Sequence, residues 1–98
     1  MATYIVLGNF TDQGLRNVKD TRKRADALKE MAKKVGATVT QVYWTLGQYD
    51  IVAILDAPDD AAVTALLLTV GGLGNVRTQS LRAFTADEMG EILGRVGA

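Results

Sequence analysis

The chain has 98 residues, 48 % of them hydrophobic, and its 11 basic and 11 acidic side chains cancel. That length predicts one domain, 1–98, whose small core leaves apolar surface over for a partner. Cysteine and histidine are both absent, which excludes disulfides, thiolate catalysis, Ser-His-Asp triads and any His/Cys zinc or haem site made by this chain.

Charge is unevenly placed along the sequence. Residues 1–49 carry eight Lys/Arg and four Asp/Glu, whereas residues 50–98 carry three and seven. Halves of opposite sign suit intramolecular or head-to-tail contacts better than a polyanion, so no nucleic-acid partner is expected. The start, MATYIVLGNF, has no basic leader region and reads as a strand. The longest apolar stretch, Ala65 to Val70 with Thr69 inside it, is too short for a bilayer. A cytoplasmic location without membrane contact is the expectation.

Seven segments follow from periodicity. Tyr4 to Phe10 is a β-rich run closed by Thr11-Asp12-Gln13-Gly14. Leu15 to Val35 carries Leu15, Val18, Ala25, Leu28, Met31, Ala32 and Val35 on one helical stripe, ended by Gly36. The stripe falters at Arg22, and Lys19, Arg22, Lys23 and Arg24 crowd together against the helix dipole. A short first turn near Asp12–Val18 and a main helix capped by Asp20 or Thr21 are therefore predicted.

Val39 to Leu46 and Tyr49 to Leu55 are strands joined by Gly47-Gln48, the pattern of a two-residue type II′ hairpin. Asp56-Ala57-Pro58-Asp59-Asp60 opens a second helix with the face Val63, Leu66, Leu67 and Val70. Gly71-Gly72-Leu73-Gly74 stops it, and Asn75 to Phe84 is the fourth strand. Thr85-Ala86-Asp87-Glu88 is a capping box ahead of Met89, Ile92, Leu93 and Val96, a short amphipathic helix.

The order βαββαβ plus a terminal helix is that of the α+β ferredoxin-like fold, an antiparallel sheet with both helices on one face. Right-handed crossovers place strands one and three side by side in its centre, and as parallel neighbours on this reading. The hairpin loop sets Trp44 opposite Ile51, Tyr43 opposite Val52 and Thr45 opposite Asp50. One side then carries Val42, Trp44, Leu46, Tyr49, Ile51, Ala53 and Leu55 toward the helices. The other holds Val39, Val52 and Ile54 among polar groups. Each such branched side chain gains roughly 1.5–3 kcal/mol on burial, so a second sheet is expected over this face. Two copies joined in this way form a dimeric α/β barrel with a partly polar cleft.

Four segments carry a resemblance: Asn9–Gly14, Tyr43–Asp50, Ala53–Asp60 and Gly74–Thr78. With Gly47-Gln48-Tyr49-Asp50 as the Gly-x-Tyr-Asp element, the chain resembles the GYD domain family over essentially its whole length. The resemblance implies a dimeric α/β barrel and brings no activity with it. Related barrels include amino-acid-sensing domains, cofactor-free oxygenases, lactone isomerases and haem enzymes, so fold leaves function open.

Candidate site residues are Asn9, Tyr43, Asp50 and Arg77. Asp50 starts a central strand on the cleft side; desolvated, it would serve as a general base, and otherwise it accepts hydrogen bonds from the hairpin or pairs with Arg. Tyr43 is placed to stack on a planar ligand, while Trp44 and Tyr49 face the helices. Asn9 either enters the cleft or begins the turn. Arg77 and Arg82 have opposite parity; Arg77, in the family-like Asn-Val-Arg-Thr stretch, is the cleft candidate for a carboxylate.

Other clusters have plainer readings. Asp56, Asp59 and Asp60 cap a helix, so no metal is assigned. Gly71–Gly74 precedes a strand and is no phosphate loop. The basic run at residues 19–24 is a solvated face before it is an anion site. With no cofactor implied, the leading expectation is a non-catalytic small-molecule-binding or sensory module acting as a homo-oligomer through its sheet face. A cofactor-independent isomerase or oxygenase with Asp50 as base, and a structural or partner-binding oligomer, are the alternatives.

Overall fold

The computed structural model describes residues 1–97. Four strands, β1 (Ala2–Phe10), β2 (Thr38–Trp44), β3 (Ile51–Ala57) and β4 (Val76–Ala83), form one sheet in the order β2-β3-β1-β4. The pairings β2–β3, β3–β1 and β1–β4 are all antiparallel. Strands one and three are central neighbours as predicted, but they are not parallel. The hairpin between β2 and β3 reverses the chain once more than the parallel reading allowed.

Four helices complete the chain: α1 (Asp12–Arg16), α2 (Thr21–Lys34), α3 (Asp60–Gly72) and α4 (Ala86–Leu93). The faltering stripe marks a real break, because a 3-10 turn over Val18–Asp20 separates α1 from α2. Thr11 caps α1 through its hydroxyl, which accepts from the Gly14 N–H at 3.1 Å. Asp20 does precede α2, yet its side chain makes no capping bond. Asp59, not the Pro58 turn, caps α3 by accepting from the Ala62 N–H at 2.9 Å. The predicted box closes α4: Thr85 and Glu88 exchange side-chain and backbone hydrogen bonds.

The core lies between the sheet and helices α2 and α3. Tyr4, Val6, Ala53, Leu55 and Ala57 point into it from the strands, and Ala32, Val63 and Leu66 meet them from the helices. Leu55 and Leu66 are the largest fully buried side chains. Many partners here are alanines, which let helices approach the sheet closely but supply little area. The hidden core is correspondingly thin.

The hairpin departs from prediction at both ends. Pairs Trp44–Ile51, Tyr43–Val52, Val42–Ala53 and Gln41–Ile54 keep the expected register. Beyond Gln41 the register shifts, so that Val39 pairs with Leu55 and Thr38 with Asp56. Thr40 is the extra residue, and its hydroxyl donates to the Ile54 carbonyl at 3.0 Å. This β-bulge reverses the facing of what precedes it. Val39 therefore packs on the core and not on the open face.

At the other end β2 stops at Trp44 and β3 starts at Ile51, leaving a longer connection than two residues. Gly47 has φ 137°, far from the roughly 60° of a type II′ corner. One backbone bond, Thr45 N–H to the Asp50 carbonyl at 2.8 Å, carries the pairing past the last strand residues.

Candidate functional site

Because Tyr4 and Val6 are buried under the helices, Ile5 and Leu7 alternate onto the opposite, open face. The register then lays out that face row by row. One row reads Gln41, Ile54, Ile5, Leu81, and the next reads Tyr43, Val52, Leu7, Gln79. Five branched aliphatic side chains thus occupy the middle of a sheet face opposite the one on which α2 and α3 pack. Leu81 is 41 % and Tyr43 51 % exposed.

The four residues singled out from sequence gather at one end of this face. Asn9 and Arg77 are direct cross-strand partners on β1 and β4. Asp50 enters beside them, its N–H donating to the Gly8 carbonyl at 2.9 Å. Tyr43 stands in the neighbouring row on β2. Arg82, of the other parity, pairs with Tyr4 and lies 4.6 Å from the Phe84 ring centroid, away from the open face.

Asp50 is half-buried, and its carboxylate accepts from the Phe10 N–H at 2.9 Å. β1 needs that acceptor because β3 has no backbone group to offer at this level. The side chain thus extends the ladder past its last regular pair.

Tyr49 corrects the sequence reading. Its hydroxyl donates to Gln79 Oε1 at 3.3 Å, and Gln79 lies on the open face beside Leu7. Tyr49 therefore bridges from the β2–β3 connection toward β4, instead of facing the helices. A parity count carried through a tight turn could not reveal this, since the actual connection is longer. Trp44 does face the helices, and its indole N–H donates to Thr21 Oγ1 at 2.9 Å.

The acidic cluster is fully engaged in the fold. Asp56 accepts from the Thr3 hydroxyl at 3.0 Å, Asp59 caps α3, and Asp60 accepts from the Tyr4 hydroxyl. The hydrogen bond to Asp60 is the chief cause that raises the Tyr4 pKa, with desolvation and the Asp60 charge adding to it. Among the described residues no three carboxylates converge on a metal-sized site, and no helix is long and apolar enough to cross a membrane.

A second feature was invisible to strand parity. Behind the sheet, between it and helices α2 and α3, lies a cavity of about 110 Å3. Leu28, Val42, Ile51, Leu67 and Val70 contribute to its apolar wall, and Gly8 to its floor. Its one sequence-level trace is a glycine inside an apolar strand.

The chain is similar to a Thermus thermophilus protein named glutamine synthetase and cystathionine beta-lyase binding protein. The two are 32 % identical over 90 residues, covering 91 % of this chain and 95 % of that one. A crystal structure of a protein from Thermus thermophilus shares 28 % identity, with a TM-score of 0.57 over 88 % of this chain and 96 % of the other. The feast or famine regulatory protein from M. tuberculosis, solved with L-methionine, has a TM-score of 0.63 at 22 % identity; the match covers 89 % of this chain and 54 % of that one. Its likeness concerns the fold, the ferredoxin-like α+β arrangement described above. The GYD domain profile itself matches residues 4–93, both ends of the sheet and α4 included, so this chain belongs to the GYD domain family.

Proposed function

We propose that this GYD domain is a non-catalytic binding module that assembles into a homo-oligomer through its open sheet face and holds a small molecule at the seam. The observation that carries the reading is the two rows formed by Ile5, Leu7, Val52, Ile54 and Leu81 on the open face, bordered at one end by Asn9, Tyr43, Asp50 and Arg77. Water on such a patch is unfavourable by roughly 25 cal/mol per Å2, and a second identical face removes it. The bordering polar groups then line a cleft between the sheets. Arg77 supplies a cation there, Tyr43 and Tyr49 supply aromatic area, and Asn9 supplies paired donors and acceptors.

The bond from the Phe10 N–H to Asp50 favours binding over the isomerase or oxygenase alternative. That bond ties Oδ2 to β1 and fixes the side chain in the ladder, the structural role that competes with a base aimed at substrate. A second reading has its own support: the 32 % identical relative is named for binding two enzymes. On that reading the assembled module docks onto metabolic enzymes and is itself the regulatory partner.

Sedimentation of the purified protein, wild type and Ile54→Lys, tests the assembly. Wild type is expected to sediment as a dimer or larger species and the lysine variant as a folded monomer. A wild-type monomer at tens of micromolar would remove the basis for the seam and its site. Thermal-shift titration with a metabolite panel and with the two enzymes then separates the two readings.

A further inference from the structure

The geometry points to a ligand site behind the sheet, separate from the proposed seam: a pocket for a short-chain aliphatic carboxylate, its tail in the cavity and its charge on Arg24.

Gly8 is the first reason. It is buried in the middle of β1, regularly paired with Ile51 on one side and Thr78 on the other, with no bulge. Its φ is not positive. A Cβ built on it would meet nothing closer than Ile51 Cβ at 3.7 Å, ordinary contact. Neither conformation nor sterics therefore requires glycine, and glycine in a strand interior is unfavourable. A missing side chain at such a position keeps the cavity floor clear. Close approach of a ligand is one of the few physical reasons for that.

The second reason is a cationic side chain among the lining residues. Arg24 contributes to the cavity lining together with Thr21, both in the first turns of α2. Two of its N–H groups donate to backbone carbonyls, Asn17 at 2.8 Å and Gly14 at 3.2 Å, and its guanidinium lies 5.9 Å from the Phe10 centroid. The group is thus held in place while its charge has no counter-ion. Among the described residues the ion pairs are Lys33–Glu30 and Arg82–Glu88, neither involving Arg24. The first turn of α2 holds no acid, and Asp20 at its N-cap makes no side-chain capping bond, although an anion is what a helix N-terminus favours. An anion at Arg24 would supply the missing partner.

Size sets the tail. An apolar cavity of ~150 Å3 holds a benzene ring, so about 110 Å3 suits roughly four or five carbons. Of the other polar lining residues, Thr21 already accepts from Trp44 and Asn75 from Gln13, so the carboxylate is assigned to Arg24.

Trp44 is the sole tryptophan and part of the cavity wall, and its fluorescence reports occupancy directly. Titrating the full chain with sodium pentanoate, against sodium chloride and 1-pentanol as controls, is expected to give a saturable change for pentanoate in the millimolar range. Arg24→Gln should weaken binding about tenfold, the equivalent of one charge-assisted contact. Gly8→Val should abolish it while leaving the thermal midpoint unchanged or higher, since the added methyls fill the space. No saturation by about 50 mM, or pentanol binding as tightly as pentanoate, would overturn the assignment. So would unchanged pentanoate affinity in Arg24→Gln. The pentanol comparison needs no variant and holds if a substitution fails to fold. Oligomeric state is not a readout here, so the outcome is independent of the seam.

Discussion

The Asp50 carboxylate accepts the backbone N–H of Phe10 at 2.9 Å, taking the place of the backbone partner that β3 does not provide at that level. A half-buried N–H left without an acceptor is unfavourable by about 1–2 kcal/mol. Asp50→Ala is therefore expected to lose roughly that much stability, whereas Asp50→Asn, which retains a carbonyl acceptor, loses less than half of it. Urea denaturation of the three proteins checks the order. If Asn proves as damaging as Ala, the carboxylate charge matters for something other than the ladder.

The two faces of the sheet carry a prediction about burial. Leu55 is fully buried beneath the helices, so Leu55→Ala should cost about 2–5 kcal/mol at any protein concentration. Leu81, 41 % exposed in the single chain, should cost little on truncation if the chain works alone. Under a second sheet its loss becomes concentration-dependent, because stability then includes assembly. Thermal midpoints of Leu81→Ala at two concentrations a hundredfold apart decide this, with a larger deficit expected in the concentrated sample.

Much of this architecture was legible because the local signals agree with one another. The capping box at Thr85 and Glu88, the apolar stripe of α2 and the register of Tyr43 with Val52 each rest on residues whose preferences need no tertiary help. The candidate residues Asn9 and Arg77 came to one place because β1 and β4 alternate regularly over their whole length. Apart from the relative sense of β1 and β3, what failed involves backbone irregularity. The bulge at Thr40 turned Val39 inward, and the long 45–50 connection sent Tyr49 across the open face. Neither Thr nor Gln announces such a kink, since each fits a regular strand or turn nearly as well. The cavity is a different case, as a void between layers depends on side-chain volumes from four elements at once.

Gly14 tests how tightly α1 is seated. A Cβ there would stand 2.0 Å from the Asn75 carbonyl oxygen, which itself accepts the Thr11 N–H at 3.1 Å. Backbone on both sides leaves no flexible group to yield. Gly14→Ala should therefore lower stability by about 2 kcal/mol or more, as overpacking does. Backbone amide shifts are expected to move at Thr11 and Asn75 together. A neutral substitution would mean that α1 can detach from the α3–β4 connection without consequence.

The pH dependence of α4 follows from Glu88. Its carboxylate accepts the Thr85 N–H, the main cause that lowers its pKa; desolvation comes next and opposes it, and the contact with Arg82 at 3.3 Å lowers it again. A carboxylate whose pKa is depressed on folding adds stability above its unfolded pKa and loses it as pH falls through the folded value. The cap should hold through neutral pH and weaken only at pH values below the ordinary glutamate range. Tyr4 has the opposite sign: its raised pKa adds stability below the ordinary tyrosine value, lost as pH climbs through the folded one. Helix content followed by circular dichroism should thus fall at the acid end in wild type, with Glu88→Gln, which keeps an acceptor but cannot titrate, showing a flatter acid limb. Tyrosinate absorbance should show one of the three tyrosines ionising late. Equal acid limbs in wild type and Glu88→Gln would mean that Thr85 alone holds the start of the helix, leaving the reciprocal bond from Glu88 without energetic weight.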